Sequence, residues 1–174
     1  MTLSPPELLT ADHDVSKFAC GKPALDLGLK TRALSNQRKG FTVVMVVHDD
    51  GRAVGYYGLA PTAVAPTGMP RSIRTGQPPN PVPCLLLGQL ATDREWKGKG
   101  IGMGLLRHAL MRSVEGASLV GGRALLVNAL DEEAALFWRK QGFVASTDNP
   151  FVLYRSMSDI AASLSKAGAK SPSQ

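Results

Sequence analysis

The stretch from Cys84 to Val120 constrains the fold most. CLLLGQLATD, Cys84 to Asp93, is an almost unbroken apolar run of strand length, as expected of a strand covered on both faces. REWKGKGIG, Arg94 to Gly102, follows at once and holds three glycines. Beyond it Ile101, Leu105, Leu106, Ala109, Leu110 and Val114 recur at the helical period, up to a stop at Gly121 and Gly122. Glycine costs a helix about 1 kcal/mol per residue relative to alanine, so three at the entrance of so regular a helix need a reason. A strand and a helix abut the stretch directly, which excludes a loose linker. Bare backbone at a helix N-terminus can approach an anion closely, and the N–H groups of Gly98, Lys99, Gly100, Ile101 and Gly102 would point at it with the helix dipole behind them. Lys97 and Lys99 add charge of the right sign. A tight structural turn would also account for the glycines.

The rest of the chain alternates between the two periodicities. Lys22 to Gly40 predicts a helix with Leu25, Leu29, Ala33 and Leu34 on one face and Lys30, Arg32, Arg38 and Lys39 on the other. Phe41–Val47 and Arg52–Ala60 predict strands, and HDDG between them predicts a hairpin. The segment from Pro61 to Pro83, rich in Pro, Gly and Thr and carrying Arg71 and Arg74, reads as a long surface loop. Arg123–Leu130 is a second buried strand. DEEAALFWRKQGF then supplies an N-cap in Asp131, acids in the first turn and a stop at Gly142. Phe151–Met157 makes a last strand, and residues 161–174 read as a disordered tail after a domain of residues 1–160. The order is that of a single α/β domain with a mixed sheet flanked by helices.

Composition narrows the classes further. A chain of 174 residues with 44% hydrophobic and 20% charged residues is an ordinary globular domain. Cys20 and Cys84 form no CxxC, so neither a disulfide scaffold nor a zinc site is expected, and a reducing cytoplasm is the expected location. His13, His48 and His108 share no metal-ligand spacing and read as scattered surface or helix residues; no metal is expected. No run approaches the ~20 apolar residues that cross a bilayer, and the acidic, proline-bearing start is not a targeting peptide. The net charge of +6 permits a polyanionic partner without requiring one.

Among phosphate-binding loops, a Walker A sequence needs Ser or Thr after GK, and here Gly100 precedes Ile101. A dinucleotide fingerprint belongs to the first βα unit of a parallel sheet, which the preceding hairpin argues against. KGKGIG does resemble the acetyl-CoA loop of the GNAT acetyltransferases, Q/R-x-x-G-x-G/A, with Lys97 at the Gln/Arg position and Gly100 and Gly102 at the glycines. FWRKQGF is similar to that family's closing-helix signature, and the strand order agrees from about Cys20 to Ile160. The resemblance implies a GNAT fold with acetyl-CoA as co-substrate. Loop amides would hold the pyrophosphate, and backbone groups of Leu90, Ala91 and Thr92 would take the pantetheine arm. The strand of Leu90 would splay from that of Asn128 to form the cofactor cleft, with Asn128 and Phe137 lining its wall.

A narrower resemblance covers FACGKPALDLGLKTRALSNQRKG, AVGYYGLAP, LGQLATDREWKGKGIGMGLLRHAL, ALLVNALDEEAALFW and DNPFVLYRSMSDI. These segments look like the GNAT toxins of toxin–antitoxin pairs. That branch acetylates the α-amino group of aminoacyl-tRNA and blocks translation, commonly dimerises, and is neutralised by a ribbon-helix-helix antitoxin. Lys30, Arg32, Arg38, Arg71 and Arg74 then become candidate RNA contacts, though each alone also reads as solvated surface.

One position departs from that branch. Its members carry a tyrosine after the Phe of the closing motif, thought to protonate the leaving thiolate of coenzyme A; here the residue is Trp138. Indole offers an N–H but no usefully titrating proton, so Trp138 reads equally as a packing residue. Tyr154 is a candidate substitute hydroxyl, and Tyr56 and Tyr57 read as face packing. Asp131, Glu132 and Glu133 are better explained by capping than as bases, and His108 is expected on the solvent face of its helix. The expected reaction is direct transfer to an amine in a ternary complex without a covalent enzyme intermediate. Two other readings stay open at this point: a small-molecule or protein amine as acceptor, and a non-catalytic acetyl-CoA-binding protein.

Overall fold

The structure, a computed structural model, describes residues 2–169. Its elements are β1 (Glu7–Leu8), α1 (Pro23–Thr31), α2 (Ala33–Arg38), β2 (Val43–Asp49), β3 (Arg52–Val64), α3 (Arg71–Arg74), β4 (Val82–Thr92), α4 (Ile101–Val120), β5 (Ala124–Asn128), α5 (Glu132–Lys140), β6 (Val144–Ala145), β7 (Val152–Ser156) and α6 (Met157–Ala169). The strands form one seven-stranded sheet in the order β1-β2-β3-β4-β5-β7-β6. The chain groups into two compact units, Met1–Ala60 with Leu87–Ala109, and Pro61–Leu86 with Leu110–Gln174.

In the first unit β2 and β3 form the expected antiparallel hairpin, paired from Val43 opposite Leu59 to Asp49 opposite Arg52 with a one-residue shift of register between Val47 and His48. Its turn works because Asp50 and Gly51 both take positive φ, 47° and 88°, the backbone that matches the twist of a two-residue hairpin. The predicted helix from Lys22 to Gly40 is in fact two, broken at Arg32, whose φ of −125° is not helical. The break has a packing counterpart. Leu29 and Ala33 are both buried in a cluster with Leu9, Phe18, Val44, Val46 and Tyr56, while Leu25 and Leu34 pack against it. Gln37 then donates to Leu9 O and accepts from Val44 N–H, both at 2.7 Å, fixing α2 to the strand. Burying each large side chain of such a cluster contributes roughly 1.5–3 kcal/mol.

The second unit corrects two expectations. The segment from Pro61 to Pro83 is not a free loop: β3 runs on to Val64, and a turn at Pro66–Gly68 and the short α3 precede β4. Met69 and Ile73 pull it inward, into a cluster with Val82, Cys84, Ala124, Leu126 and Tyr154. Arg123 donates from Nε to Ile73 O at 3.0 Å and from Nη2 to Thr75 O at 3.1 Å. The tail expected from residue 161 is instead helical through Ala169; residues 170–174 lie outside the described residues. Met157 and Ile160 bury one face of α6, and Arg155 holds it through Asp159 at 2.7 Å and Ser163 at 2.5 Å. β5 and β6 each pair antiparallel with β7.

Candidate functional site

The glycine stretch begins with a tight turn, Arg94–Trp96, capped by the Asp93 carboxylate, which accepts the Glu95 N–H at 2.9 Å. Trp96 is buried and anchors the turn, and Lys99 lies over its ring with Nζ 4.7 Å from the centroid. Gly98 and Gly100 take φ of 79° and 81°, a region that costs any residue with a Cβ. A Cβ at either position would meet nothing within 4 Å, so conformation rather than crowding demands glycine there. The first N–H bonded within α4 is that of Gly104, to Gly100 O at 3.0 Å. The N–H groups of Ile101, Gly102 and Met103 therefore have no partner inside the helix, and the positive end of its dipole sits among them. Ile101 and Leu105 press this end of α4 onto β3, where a Cβ at Gly55 would come within 2.9 Å of both side chains. The helix start is rigidly seated while Lys97 to Gly100 stay exposed.

The residues expected at the cofactor take three kinds of place. Leu90, Ala91 and Thr92 end β4, with Ala91 buried and the other two half-buried. Lys97 is exposed and leans its amine toward Gly21, 4.0 Å from the position a Cβ would occupy there. Asn128 is the exposed last residue of β5. Phe137 is half-buried on α5, stacked edge-on against Trp138 with centroids 5.0 Å apart.

Trp138 is 7% exposed and also meets Phe143 edge-on at 5.1 Å, the arrangement of a packing residue. Tyr154 does not supply a replacement hydroxyl at a surface: its ring lies in the cluster of Met69, Ile73, Val82 and Cys84, and burial pushes its hydroxyl above the usual tyrosine range. Tyr56 donates to Leu25 O at 2.6 Å from the core, its hydroxyl likewise pushed up by burial. Asp131 caps α5 as expected, accepting the Ala134 N–H at 2.9 Å. Lys30, Arg32 and Arg38 are exposed around α1 and α2, and Arg71 and Arg74 are exposed on α3. Both cysteines are buried and free; burial first and Asp26 second push the Cys20 thiol up to about 11, so it stays protonated at neutral pH.

The histidines are not scattered. His108 faces inward, its Nδ1 2.6 Å from the hydroxyl of the fully buried Tyr57, which ties α4 to β3. His13 and His48 converge on one carboxylate oxygen of Glu7, each with Nε2 at 2.8 Å. This trio has the composition of a metal site, but its protons are arranged otherwise. Nδ1 of His13 accepts the Thr10 N–H and Nδ1 of His48 accepts the Gly51 N–H, both at 2.9 Å. Each ring therefore carries its proton on Nε2, the nitrogen a metal would need bare, and donates it to Glu7. The trio is a clamp that holds β1 to the hairpin turn. Spacing along the chain could not reveal it, because Glu7 and His48 are 41 residues apart.

Comparison with known proteins gives this geometry its relatives. The acetyltransferase (GNAT) domain family matches residues 40–145. A tRNA-acetylating toxin of Mycobacterium tuberculosis is 41% identical over 156 residues, covering 90% of this chain and 93% of its own. Among solved structures, AtaT complexed with acetyl-methionyl-tRNAfMet superposes with a TM-score of 0.84 at 29% identity, covering 94% of this chain and 99% of AtaT. A mutant AtaT toxin bound to the C-terminus of the antitoxin AtaR and acetyl-CoA gives 0.79 at 28% identity, covering 95% and 99%. A glycine loop at the mouth of α4, a single mixed sheet and these relatives agree: the chain belongs to the GNAT family of N-acetyltransferases.

Proposed function

We propose that the protein transfers the acetyl group of acetyl-CoA to the α-amino group of aminoacyl-tRNA and so blocks translation, acting as the toxin of a toxin–antitoxin pair. The observation that carries this is the 41% identity to a tRNA-acetylating toxin over nine-tenths of the chain. The local chemistry supports it. Amides at the start of α4 without a partner inside the helix, two left-handed glycines and two lysines suit the pyrophosphate of coenzyme A. The last residues of β4, Leu90 to Thr92, run directly into that loop and would hold the pantetheine arm through their backbone. The formal charge of +6 and the exposed Lys30, Arg32, Arg38, Arg71 and Arg74 suit a polyanionic acceptor.

In the reaction the free amine attacks the thioester carbonyl, the carbon–sulfur bond breaks, and the proton shed by the nitrogen ends on the thiolate of coenzyme A. The loop and β4 supply fixed placement, and proximity is the main contribution to rate. Trp138 has no proton to give in that step and acts as a wall of packed aromatic surface. Among the described residues no helix is long and apolar enough to cross a membrane. A ribbon-helix-helix antitoxin and a homodimer complete the reading; the AtaT complex with AtaR supports an antitoxin as partner.

The test is incubation of the purified protein with labelled acetyl-CoA and a panel of charged and uncharged tRNAs. Label on the α-amino group of at least one charged tRNA, and none on uncharged tRNA, is the expected result. Acetyl-CoA binding without label on any charged tRNA would overturn the acceptor assignment and leave the acetyltransferase family unaffected.

A further inference from the structure

Among the described residues Asp93 is the one buried carboxylate, 2% exposed. Its two oxygens serve two different segments. Oδ1 accepts the Glu95 N–H at 2.9 Å, closing the turn that launches the glycine loop. Oδ2 accepts the Ala19 N–H at 3.1 Å, from the segment that leads into α1, and lies 3.7 Å from Nη2 of Arg52 on β3. The backbone repeats both links: Arg94 N–H donates to Ala19 O and Asp93 N–H to Val54 O, each at 2.8 Å.

A buried charge is costly unless it is paired and hydrogen-bonded. Capping one turn does not require it, since serine or asparagine would cap as well. What aspartate adds is a second accepting oxygen for Ala19 and a counter-charge for Arg52. That arginine also reaches Glu95 Oε2 at 3.1 Å, and its Nε is buried without a partner. Two residues past Glu95 the exposed loop begins. Its amides can hold a phosphate oxygen only within a narrow range of distance, about 2.7–3.2 Å, so a shift at the foot of the loop is felt along it.

We propose that Asp93 is a positioning residue for the cofactor loop: it locks the turn Arg94–Trp96 to the Ala19 segment and to β3, and thereby sets where the amides of Lys97 to Gly102 stand. It is not a general base, because both oxygens are already engaged by the backbone N–H groups of Glu95 and Ala19. The proposal rests on the assignment of this loop to acetyl-CoA.

Calorimetric titration of the full chain with acetyl-CoA, paired with steady-state kinetics on a charged tRNA, tests it. Asp93→Asn keeps a carbonyl oxygen for the Glu95 N–H but loses the charged acceptor facing Ala19 and Arg52. It should raise Kd and KM for acetyl-CoA about tenfold, while kcat at saturating acetyl-CoA and KM for the tRNA stay within about twofold. Arg52→Gln should raise KM for acetyl-CoA about threefold. A folded Asp93→Asn protein with wild-type affinity for acetyl-CoA would overturn the role of Asp93. Should that variant not fold, unchanged affinity in Arg52→Gln overturns it. Failure of the wild-type protein itself to bind acetyl-CoA would instead overturn the loop assignment, and the proposal with it.

Discussion

From Lys97 to Gly100 every residue is exposed and the two glycines hold left-handed backbone, whereas from Phe137 to Phe143 three aromatic rings stack edge-on with Trp138 buried at their centre. Both stretches belong to motifs of the family, yet they are made by different physics. The first is a shape of the backbone, seated by Asp93, Trp96 and the contact of α4 with Gly55, and the exposed side chains of Lys97 to Gly100 contribute little to it. The second is a packing cluster, and its chemistry is subordinate to its volume. A change in the loop should therefore strike binding and spare stability, and a change in the cluster should do the reverse.

Gly100→Val tests the first half and should have the largest effect. A β-branched residue at φ 81° is strained by about 1–3 kcal/mol, and relief of that strain moves the amides away from the phosphate. Acetyl-CoA affinity measured by calorimetry should fall by about two orders of magnitude, with a melting temperature close to wild type. Trp138→Ala tests the other half: removing a buried Trp should cost about 3–5 kcal/mol in urea denaturation.

Trp138→Tyr sharpens the comparison. A working general acid supplies about 10²–10⁴-fold in rate. Because the site is built for packing, kcat should rise by less than about tenfold, and a gain within the general-acid range would mean that a hydroxyl here reaches the leaving group. Asp131→Ala, which removes the N-cap of the helix carrying Trp138, should lower stability by about 1 kcal/mol.

The smallest effect concerns the clamp on β1. The hydrogen bond from His13, helped by that from His48, holds the Glu7 carboxyl below its ordinary value of 4.5. A depressed carboxylate stabilises the fold above that value, and the contribution is lost as pH falls through the folded one. The difference in melting temperature between wild type and Glu7→Gln should thus be steady at neutral pH and shrink below about pH 4.5. A difference that grew on acidification would show that Glu7 is not the charged member of the clamp.

Much of this molecule is legible in the order of its residues. The hairpin turn at Asp50–Gly51, the Asp131 cap, the buried strand before the loop and the helix after it all follow from neighbours a few positions apart. So does the left-handed backbone of the glycine loop, since only glycine takes it without strain. Met157, Ile160, Ala161 and Leu164 even carry the spacing of α6, although few apolar residues of that period follow them. The break at Arg32 and the inward fold of Met69 and Ile73 are different, because they answer to cores assembled from the whole chain.

The same division runs through the site. The glycine loop proposed to bind the donor is a local object, so the sequence by itself determined it, along with the family and the strand–loop–helix frame. The partners that seat the loop and helix were decided only by tertiary structure. Asp93 meets Ala19 across 74 residues and Tyr57 meets His108 across 51, and away from the site Glu7 meets His48 across 41. No periodicity joins such pairs. Which of them meet is set by how the hydrophobic faces close on one another, and the buried polar groups must then find partners among whatever that closure brings near.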